Sequence, residues 1–516
     1  MKNLREGTIL LFRPVAEPVT TSKVERKECW IPYSILTIAG PALDAGFKVV
    51  LYDGYFDEDY EAILEKHKDD LALVGVTTLT GYQITDGLKF AKMVRERHPE
   101  IPLIWGGYHP SLYPEQTAEH PLVDVVVCGQ GEVTFVELLK ALRDGGDLSK
   151  VKGLAYREKA TGKVLKTPGR ELHDLNEFRY RFDLLPMMRY TSERYPEIGK
   201  RMVSYFSSYG CPYKCGFCAE PQVTNRRWKS LVGKRVVDDL AELNRLTGAD
   251  AIYFADSNFF VKKDRVREIC EELKARKLPM TWFANARADQ LIRYGDDMWQ
   301  LMKDSGLRQM LVGAESGSDE ILDFITKDST VEDHVKFLEK AKQYGIIAEF
   351  SLIVGFPNAP VDDFKANVDY VGKIMEYSRE NKVLLYIYTP YPGTALFQKA
   401  IDAGLEVPKS FEGWSNYSLR QINTPWLRGN FAKRYEFFQR VHHYVWIDKL
   451  KEDYRKKGRS MFSYHLNRAL AKARWKTKFF GLRVETLPAR LRGGIRVERA
   501  AEKVHEVAMA GEEEPC

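Results

Sequence analysis

The sequence predicts an α/β protein with a parallel, doubly wound sheet near the N-terminus, then a partial six-stranded βα barrel, and helices at the C-terminal end. Two patterns support this fold class. Short apolar runs rich in β-branched residues alternate with amphipathic stretches of helical period. The composition is globular, with 44% hydrophobic and 29% charged residues.

Residues 1–145 are predicted to form the first sheet. Its strands are TILLF (8–12), FKVVLYD (47–53), ALVGVTTL (72–79), IPLIWGG (101–107) and VDVVVCG (123–129), and helical segments such as 85–99 separate them. Ligands of such sheets bind at the carboxyl ends of the strands. Small residues, a leucine and one carboxylate stand at those ends, namely Thr77, Thr78, Leu79, Gly106, Gly107, Gly129, Gly131 and Glu132.

Residues 146–200 are polar and are predicted to be a linker with a small hairpin at 154–166. A second βα series follows over 201–400. Its six strands are MVSYFSSYG from residue 202, AIYFADSN (251–258), MTWFANAR (280–287), MLVGAESG (310–317), AEFSLIVGFP (348–357) and VLLYIYTPYPG (383–393). Six strands predict a partial barrel, with its functional groups at the C-terminal strand ends.

The positive charge is concentrated in one segment. Residues 431–496 carry 18 Lys/Arg and 5 Asp/Glu, whereas the full chain has a net charge of only +6. This distribution excludes a chain-wide nucleic-acid-binding field and indicates one localised surface. We predict a helical basic region over 401–496 and a disordered acidic tail over 497–516.

The strongest motif is Cys211-Pro-Tyr-Lys-Cys215-Gly-Phe-Cys218. Three thiolates on one loop can bind three irons of a [4Fe-4S] cluster, and the fourth iron, without a protein cysteine, stays open to another ligand. Zinc with a fourth ligand from elsewhere in the chain is the alternative. The other cysteines are scattered, so we expect no disulfide framework, and with no secretory signal the expected location is the cytoplasm.

This motif, at the end of the first strand of a six-strand βα series, resembles the radical S-adenosylmethionine (SAM) superfamily. The resemblance implies that Cys211, Cys215 and Cys218 bind the cluster and that SAM binds the open iron. By position it implies SAM contacts for six further residues: Phe217, Glu315, Ser316, Gly317, Gly355 and Tyr388. A tight turn at Gly355 and core packing at Tyr388 are the alternatives for those two positions.

The N-terminal region resembles cobalamin-binding domains of the methionine-synthase type. Thr77-Thr78-Leu79 stands at the family's SxL position, and 26 residues separate it from Gly106-Gly107, as in that family. An ordinary Rossmann-like domain is the alternative. The family's DxHxxG motif is missing, because Trp30–Ile35 reads WIPYSI, so no protein histidine ligand to cobalt is expected. His109 is predicted to be a loop residue.

The two resemblances together imply a cobalamin-dependent radical SAM enzyme that cleaves SAM to a 5′-deoxyadenosyl radical and methylates an unactivated carbon of a hydrophobic substrate. The order of domains also resembles the anaerobic magnesium-protoporphyrin IX monomethyl ester cyclase group, so a radical oxidative cyclase or rearrangement enzyme acting on a tetrapyrrole or lipid is the alternative. A non-catalytic cobalamin-binding sensor is a third hypothesis. The sequence assigns no acid–base catalytic residue.

A radical SAM enzyme also needs a low-potential electron donor, such as flavodoxin or ferredoxin, and anaerobic conditions. Aromatic residues interleave with the cations of 431–496, a pattern typical of contact with an anionic membrane, here the inner face of the cytoplasmic membrane. Helices that pack on the barrel with a solvated basic face are the more favoured alternative, and nucleic acid is the less favoured one. For Asp256, Asn285 and Arg287 the sequence leaves open SAM or substrate contacts and a polar network at the barrel mouth.

Overall fold

The structure is a computed structural model. It describes residues 4, 6–17, 30–158, 160–193, 195–417, 424–427, 431–446, 449–456 and 458–477. The chain forms two compact units, Met1–Trp426 and Leu427–Cys516. The tail predicted at 497–516 and residues 478–496 of the basic region lie outside the described residues. No helix in the described ranges is long and apolar enough to cross a membrane.

The first sheet has seven strands in the order β2-β1-β3-β4-β5-β6-β7. The first five run parallel: β1 (Thr8–Arg13), β2 (Lys48–Asp53), β3 (Leu71–Thr77), β4 (Leu103–Gly106) and β5 (Val125–Val127). The chain order reverses between β1 and β3, and open α/β sheets bind ligands at such a point. The five predicted strands are therefore present. Thr77 ends β3 at the switch point, and Thr78 and Leu79 follow it.

The predicted hairpin at 154–166 is β6 (Leu154–Arg157) and β7 (Val164–Lys166). This hairpin is part of the first sheet and not of a linker. Strand β6 pairs antiparallel with β5, so the sheet extends past the predicted boundary at residue 145. Leu154 and Ala155 are fully buried against that sheet. The burial of these apolar residues, together with the backbone hydrogen bonds of β5, accounts for the difference.

Helices cover both faces of the first sheet. One face packs against α1 (Tyr33–Asp44) and α6 (Gly131–Asp144). The opposite face packs against α2 (Tyr60–Lys66) and α3 (Gln83–Arg97), and the loop helices α4 (Tyr108–Leu112) and α5 (Pro114–Ala118) lie at its edge. Residues from 397 to 417, including the buried Trp414, also pack on this face, so the start of the predicted C-terminal region belongs to the first unit.

The second sheet has six parallel strands in the order β15-β14-β13-β12-β11-β8, as predicted for a partial barrel. They are β8 (Met202–Tyr205), β11 (Ala251–Phe254), β12 (Thr281–Ala286), β13 (Leu307–Glu315), β14 (Ile347–Val354) and β15 (Lys382–Ile387). The segment predicted as the first barrel strand is divided, because β9 (Ser208–Gly210) leaves the barrel and pairs antiparallel with β10 (Trp228–Ser230). In the described range 195–417, nine α-helices accompany these strands: α7 (Glu220–Thr224), α8 (Gly233–Thr247), α9 (Lys263–Ala275), α10 (Ala288–Leu291), α11 (Asp296–Asp304), α12 (Asp319–Phe324), α13 (Val331–Tyr344), α14 (Asp363–Tyr377) and α15 (Ala395–Asp402).

In the second unit the structure describes three helices, α16 (Phe431–Trp446), α17 (Lys449–Lys456) and α18 (Met461–Thr477). The rings of Phe438 and Trp475 lie 5.7 Å apart, between α16 and α18. The hydroxyls of Tyr444 and Tyr454 share a hydrogen bond of 2.6 Å, between α16 and α17. Aromatic residues of the basic region thus form the interior of this small helical unit.

Candidate cofactor sites

The cysteine loop begins directly after β9 and ends at α7. Its entry requires a glycine, because Gly210 has a φ of +87° and a Cβ there would lie 2.1 Å from the carbonyl oxygen of Arg227. Burial raises the pKa of the Cys218 thiol to about 12, and the charges of Glu220, Cys215 and Cys211 act in the same direction. A metal that binds such thiols therefore has to displace their protons.

The donor set on this loop fits an iron–sulfur cluster. In a [4Fe-4S] cluster each thiolate binds a different iron, whereas a zinc ion takes all its ligands at about 2.0–2.3 Å from one point. Three soft donors on one partly buried loop are the ligands that a cluster uses.

Two neighbouring segments hold the cysteine loop in place. The Gly216 amide donates to the carbonyl of Ile325 at 2.8 Å, and the Gly216 carbonyl accepts from the Leu396 amide at 2.9 Å. Arg287, at the end of β12, donates from Nη1 to the Cys215 sulfur at 3.5 Å. Lys214 forms a half-exposed ion pair with Asp328 at 3.6 Å.

Glu315 ends β13 and is buried together with Ser316, whereas Gly317, the next residue, is partly exposed. Glu315 has a φ of +63°, which is uncommon for a residue with a side chain, and its carboxylate pairs with Lys327 Nζ at 2.8 Å. The Gly317 amide donates to Asn367 Oδ1 at 2.8 Å, and a Cβ at Gly317 would lie 2.2 Å from that of Tyr370. Close helix packing therefore accounts for Gly317, whether or not it also contacts SAM.

Three of the predicted SAM residues lie at one apolar cluster. Phe217 packs at its edge, and Tyr388 is buried inside it. Gly355 has a φ of +86°, and its amide donates to Asp363 Oδ2 at 2.7 Å. The turn expected as the alternative for Gly355 and the core packing expected for Tyr388 are thus both present.

The Thr77-Thr78-Leu79 and Gly106-Gly107 segments meet at the end of the first sheet. Gly107 has a φ of +97°, and a Cβ there would lie 2.7 Å from the Thr78 carbonyl and 2.8 Å from Thr77 Oγ1. The Thr78 hydroxyl is buried and finds no hydrogen-bond partner among the residues that the structure describes, and Leu79 is 53% exposed. An orphaned hydroxyl and an uncovered leucine beside a glycine turn fit a large, partly apolar ligand such as cobalamin.

Gly129, Gly131 and Glu132 lie at the adjacent strand end, where α6 begins. Gly129 has a φ of +73°, and its amide donates to Ser111 Oγ at 2.8 Å. A Cβ at Gly131 would lie 3.0 Å from Ile38. Burial raises the pKa of the Glu132 carboxyl to about 7, although backbone amides of the helix N-terminus oppose the shift.

The prediction that His109 is a loop residue was wrong, because His109 lies in α4 and is fully buried. Its ring stacks on Phe411 at 5.5 Å, and Nδ1 lies 3.0 Å from Thr80 Oγ1. Burial lowers its pKa to about 3, so the ring is neutral at physiological pH. The expectation missed the packing of residues from 411 onward against this helix.

Asp256 and Asn285 belong to a buried polar network. Asp256 accepts from the Ser207 amide at 2.9 Å and from the Ser207 hydroxyl at 2.8 Å. Asn285 donates to the Asp256 carbonyl at 2.8 Å and accepts from the Tyr253 hydroxyl at 2.8 Å. Of the two alternatives, these contacts favour the network at the mouth of the barrel.

Three further residues near the site carried no clear sequence signal. The Tyr108 hydroxyl donates to the buried Glu220 carboxylate, which links the glycine turn of the first sheet to the helix that follows Cys218. Burial raises the pKa of Glu220. Lys327, the partner of Glu315, lies on a loop with no motif. In the sequence, the only signal for Tyr108 and Glu220 was their position next to the motif residues Gly107 and Cys218.

Comparison with known proteins agrees with the predicted radical SAM region and with the predicted cobalamin-binding domain. Residues 205–371 match the radical SAM superfamily and residues 20–139 match the B12 binding domain. An uncharacterized methyltransferase from Pyrococcus horikoshii is 32% identical over 378 residues, which cover 72% of this chain and 78% of that protein. The anaerobic magnesium-protoporphyrin IX monomethyl ester cyclase of Synechocystis is 27% identical and covers 75% of this chain and 76% of its own length.

A solved structure shares the fold. The radical SAM methyltransferase TsrM from Kitasatospora setae superposes with a TM-score of 0.63 at 20% identity, over 78% of this chain and 79% of that one. The predicted fold class and the predicted cofactors, a [4Fe-4S] cluster, SAM and cobalamin, are thereby confirmed. The chain belongs to the radical SAM enzymes that carry a cobalamin-binding domain.

Proposed function

We propose that this enzyme transfers a methyl group to an unactivated carbon of a small-molecule substrate. When bound, the cluster, SAM and cobalamin supply reductive cleavage of SAM and a transferable methyl group. The observation that carries the proposal is that one polypeptide unit joins the cysteine loop to the Gly106-Gly107 turn through Tyr108 and Glu220. The contact supports a reaction in which a cluster on this loop and a cobalamin at this sheet edge act together, as methyl transfer requires.

The residues of this chain have distinct roles in the proposal. Cys211, Cys215 and Cys218 bind the cluster. A second set would bind SAM, namely Phe217, Glu315, Ser316, Gly317, Gly355 and Tyr388. A third would bind cobalamin, namely Thr77, Thr78, Leu79, Gly106, Gly107, Gly129, Gly131 and Glu132. The buried Tyr388 helps to exclude water and the glycines allow close approach, while the buried Glu315–Lys327 pair orients a polar ligand.

The test is an anaerobic assay of the full chain, reconstituted with iron, sulfide and cobalamin and supplied with SAM and a low-potential reductant. We expect 5′-deoxyadenosine from the wild type and none from Cys215→Ala. Cys270→Ala is the matched control, because Cys270 is a buried cysteine of α9 that lies outside the CxxxCxxC motif. A full cluster that yields no 5′-deoxyadenosine would favour the cobalamin sensor.

Cyclisation is the second candidate, because the Synechocystis relative is named a cyclase. The two reactions differ in their products. Methylation leaves S-adenosylhomocysteine and a substrate heavier by one CH₂, whereas ring closure leaves neither. Mass spectrometry of metabolites from cells with and without the gene separates them. Radical SAM enzymes need an electron donor, and we propose flavodoxin or ferredoxin in that role.

We also propose that the second unit contacts an anionic membrane surface at the cytoplasmic face. On α18 the side chains of Phe462 and Leu466 are 79% and 49% exposed, one helical turn apart. Lys472 and Lys476 continue the same exposed face, which has the composition of an interfacial helix. Each cation near an anionic surface adds about 1 kcal/mol of attraction.

Sedimentation with vesicles tests this surface. The full chain should bind phosphatidylcholine vesicles that contain phosphatidylglycerol and release them at high salt. The Phe462→Ser/Leu466→Ser variant should bind at least about tenfold more weakly, since it removes two exposed apolar side chains. Met188→Ser, which removes a 53% exposed methionine from the first unit, should bind like the wild type. Equal binding to neutral vesicles, or preference for single-stranded RNA, would contradict the proposal.

A further inference from the structure

Arg287 lies against the cysteine loop and is almost fully buried, with 5% of its surface exposed. Its guanidinium carbon lies 3.8 Å from the centre of the Tyr213 ring, which stands inside the CxxxCxxC motif. Its Nη1 donates to the Cys215 sulfur at 3.5 Å. A buried cation thus lies directly on one of the three sulfurs that bind the cluster.

The orientation of this guanidinium is fixed from three sides. Nε donates to Asp289 Oδ1 at 3.0 Å, and Nη2 donates to the carbonyl of Lys327. The Arg287–Asp289 pair is itself buried, with side chains 6% and 9% exposed. Each of the three guanidinium nitrogens therefore donates to a different protein acceptor, so the side chain is held in place before any ligand binds.

Reduction of a [4Fe-4S] cluster adds one electron from the reductant and changes no covalent bond. A positive charge and an N–H donor at a ligand sulfur favour the state with the additional negative charge, so they raise the reduction potential. We propose that Arg287 is a positioning residue that holds the Cys215 sulfur and raises the potential of the cluster. The proposal rests on the proposed function only in requiring that the cysteine loop binds a cluster.

Asp289 has the opposite effect on the same sulfur. Its carboxylate partly neutralises Arg287, so removal of that negative charge leaves a stronger positive field at Cys215. Arg287→Gln should therefore lower the potential, and Asp289→Asn should raise it. A residue that only supported the loop would not produce shifts of opposite sign.

The experiment is a redox titration of the reconstituted full chain, monitored by electron paramagnetic resonance of the reduced cluster. Iron and sulfide contents are measured on every sample. For Arg287→Gln we expect the ratio of reduced to oxidised cluster at a fixed potential to fall about tenfold. This fall corresponds to a reduction potential lower by ~59 mV for a one-electron couple. Arg267→Gln is the matched control, because Arg267 also pairs with an aspartate, Asp297 at 2.6 Å, but on the surface.

Opposite shifts in Arg287→Gln and Asp289→Asn, with none in Arg267→Gln, support the inference. Unchanged potentials at full cluster content, or shifts of equal sign, overturn it. If Arg287→Gln binds no cluster, the measurement on Asp289→Asn tests the inference. A raised reduction potential in that variant supports the inference, and an unchanged potential overturns it. A wild type that binds no cluster contradicts the proposed function as well, whereas unchanged potentials contradict this inference alone.

Discussion

Replacement of Lys327 by methionine should strongly destabilise the barrel. Lys327 Nζ lies 2.8 Å from Glu315 Oε1, and the two side chains are only 6% and 8% exposed. The substitution leaves the Glu315 carboxylate buried without its cation. Loss of one partner of a buried ion pair costs about 3–5 kcal/mol, mostly through the desolvation of the charge that remains.

Thermal unfolding of the apo-protein, followed by circular dichroism under anaerobic conditions, measures this cost. We expect the midpoint of Lys327→Met to fall by roughly 4–10 °C, with the smaller shift if the whole first unit unfolds together. Adding Glu315→Gln to Lys327→Met removes the unpaired carboxylate charge. The double variant should therefore recover at least about half of the fall in the unfolding midpoint.

Lys336→Met is the matched control. Lys336 pairs with Glu332 at 2.7 Å, one helical turn away, but both side chains are more than half exposed. Its unfolding midpoint should stay within about 1 °C of the wild type, because exposed ion pairs contribute little. The reasoning is refuted if Lys327→Met loses no more than this control, or if the double variant is no more stable than Lys327→Met alone.

Three more predictions follow from the structure. Gly107→Ala should lose cobalamin affinity in equilibrium dialysis, because its Cβ would lie 2.7 Å from the Thr78 carbonyl, whereas Gly169→Ala has no heavy atom within 4 Å and should bind normally. Gly317→Ala should lower the thermal midpoint, because its Cβ would lie 2.2 Å from that of Tyr370; an unchanged midpoint would contradict the packing. Burial lowers the pKa of His334 to about 3, so only the unfolded state takes up a proton below about pH 6.5, and stability falls from there to about pH 3. His334→Gln should flatten this dependence in urea unfolding of the apo-protein, by up to about 1.4 kcal/mol per pH unit, and an unchanged slope would contradict the assignment.

The order of the elements, the six barrel strands and the cysteine loop were predictable from the amino-acid sequence. These features depend on local patterns: apolar runs of strand length, helical periodicity, and cysteines on one short segment. The Thr77–Leu79 and Gly106–Gly107 segments could also be related, because parallel strands place their carboxyl ends at one edge.

Only the tertiary structure decided which distant side chains meet. The hairpin at 154–166 joined the first sheet because β5 offered an unpaired edge, and residues near Trp414 covered the aromatic face around His109. The contacts of Arg287 with Cys215 and of Tyr108 with Glu220 connect residues 72 and 112 positions apart. Such contacts depend on how whole elements pack. Periodicity and spacing describe only neighbours along the chain, so neither could have located the buried charges that surround the cluster loop.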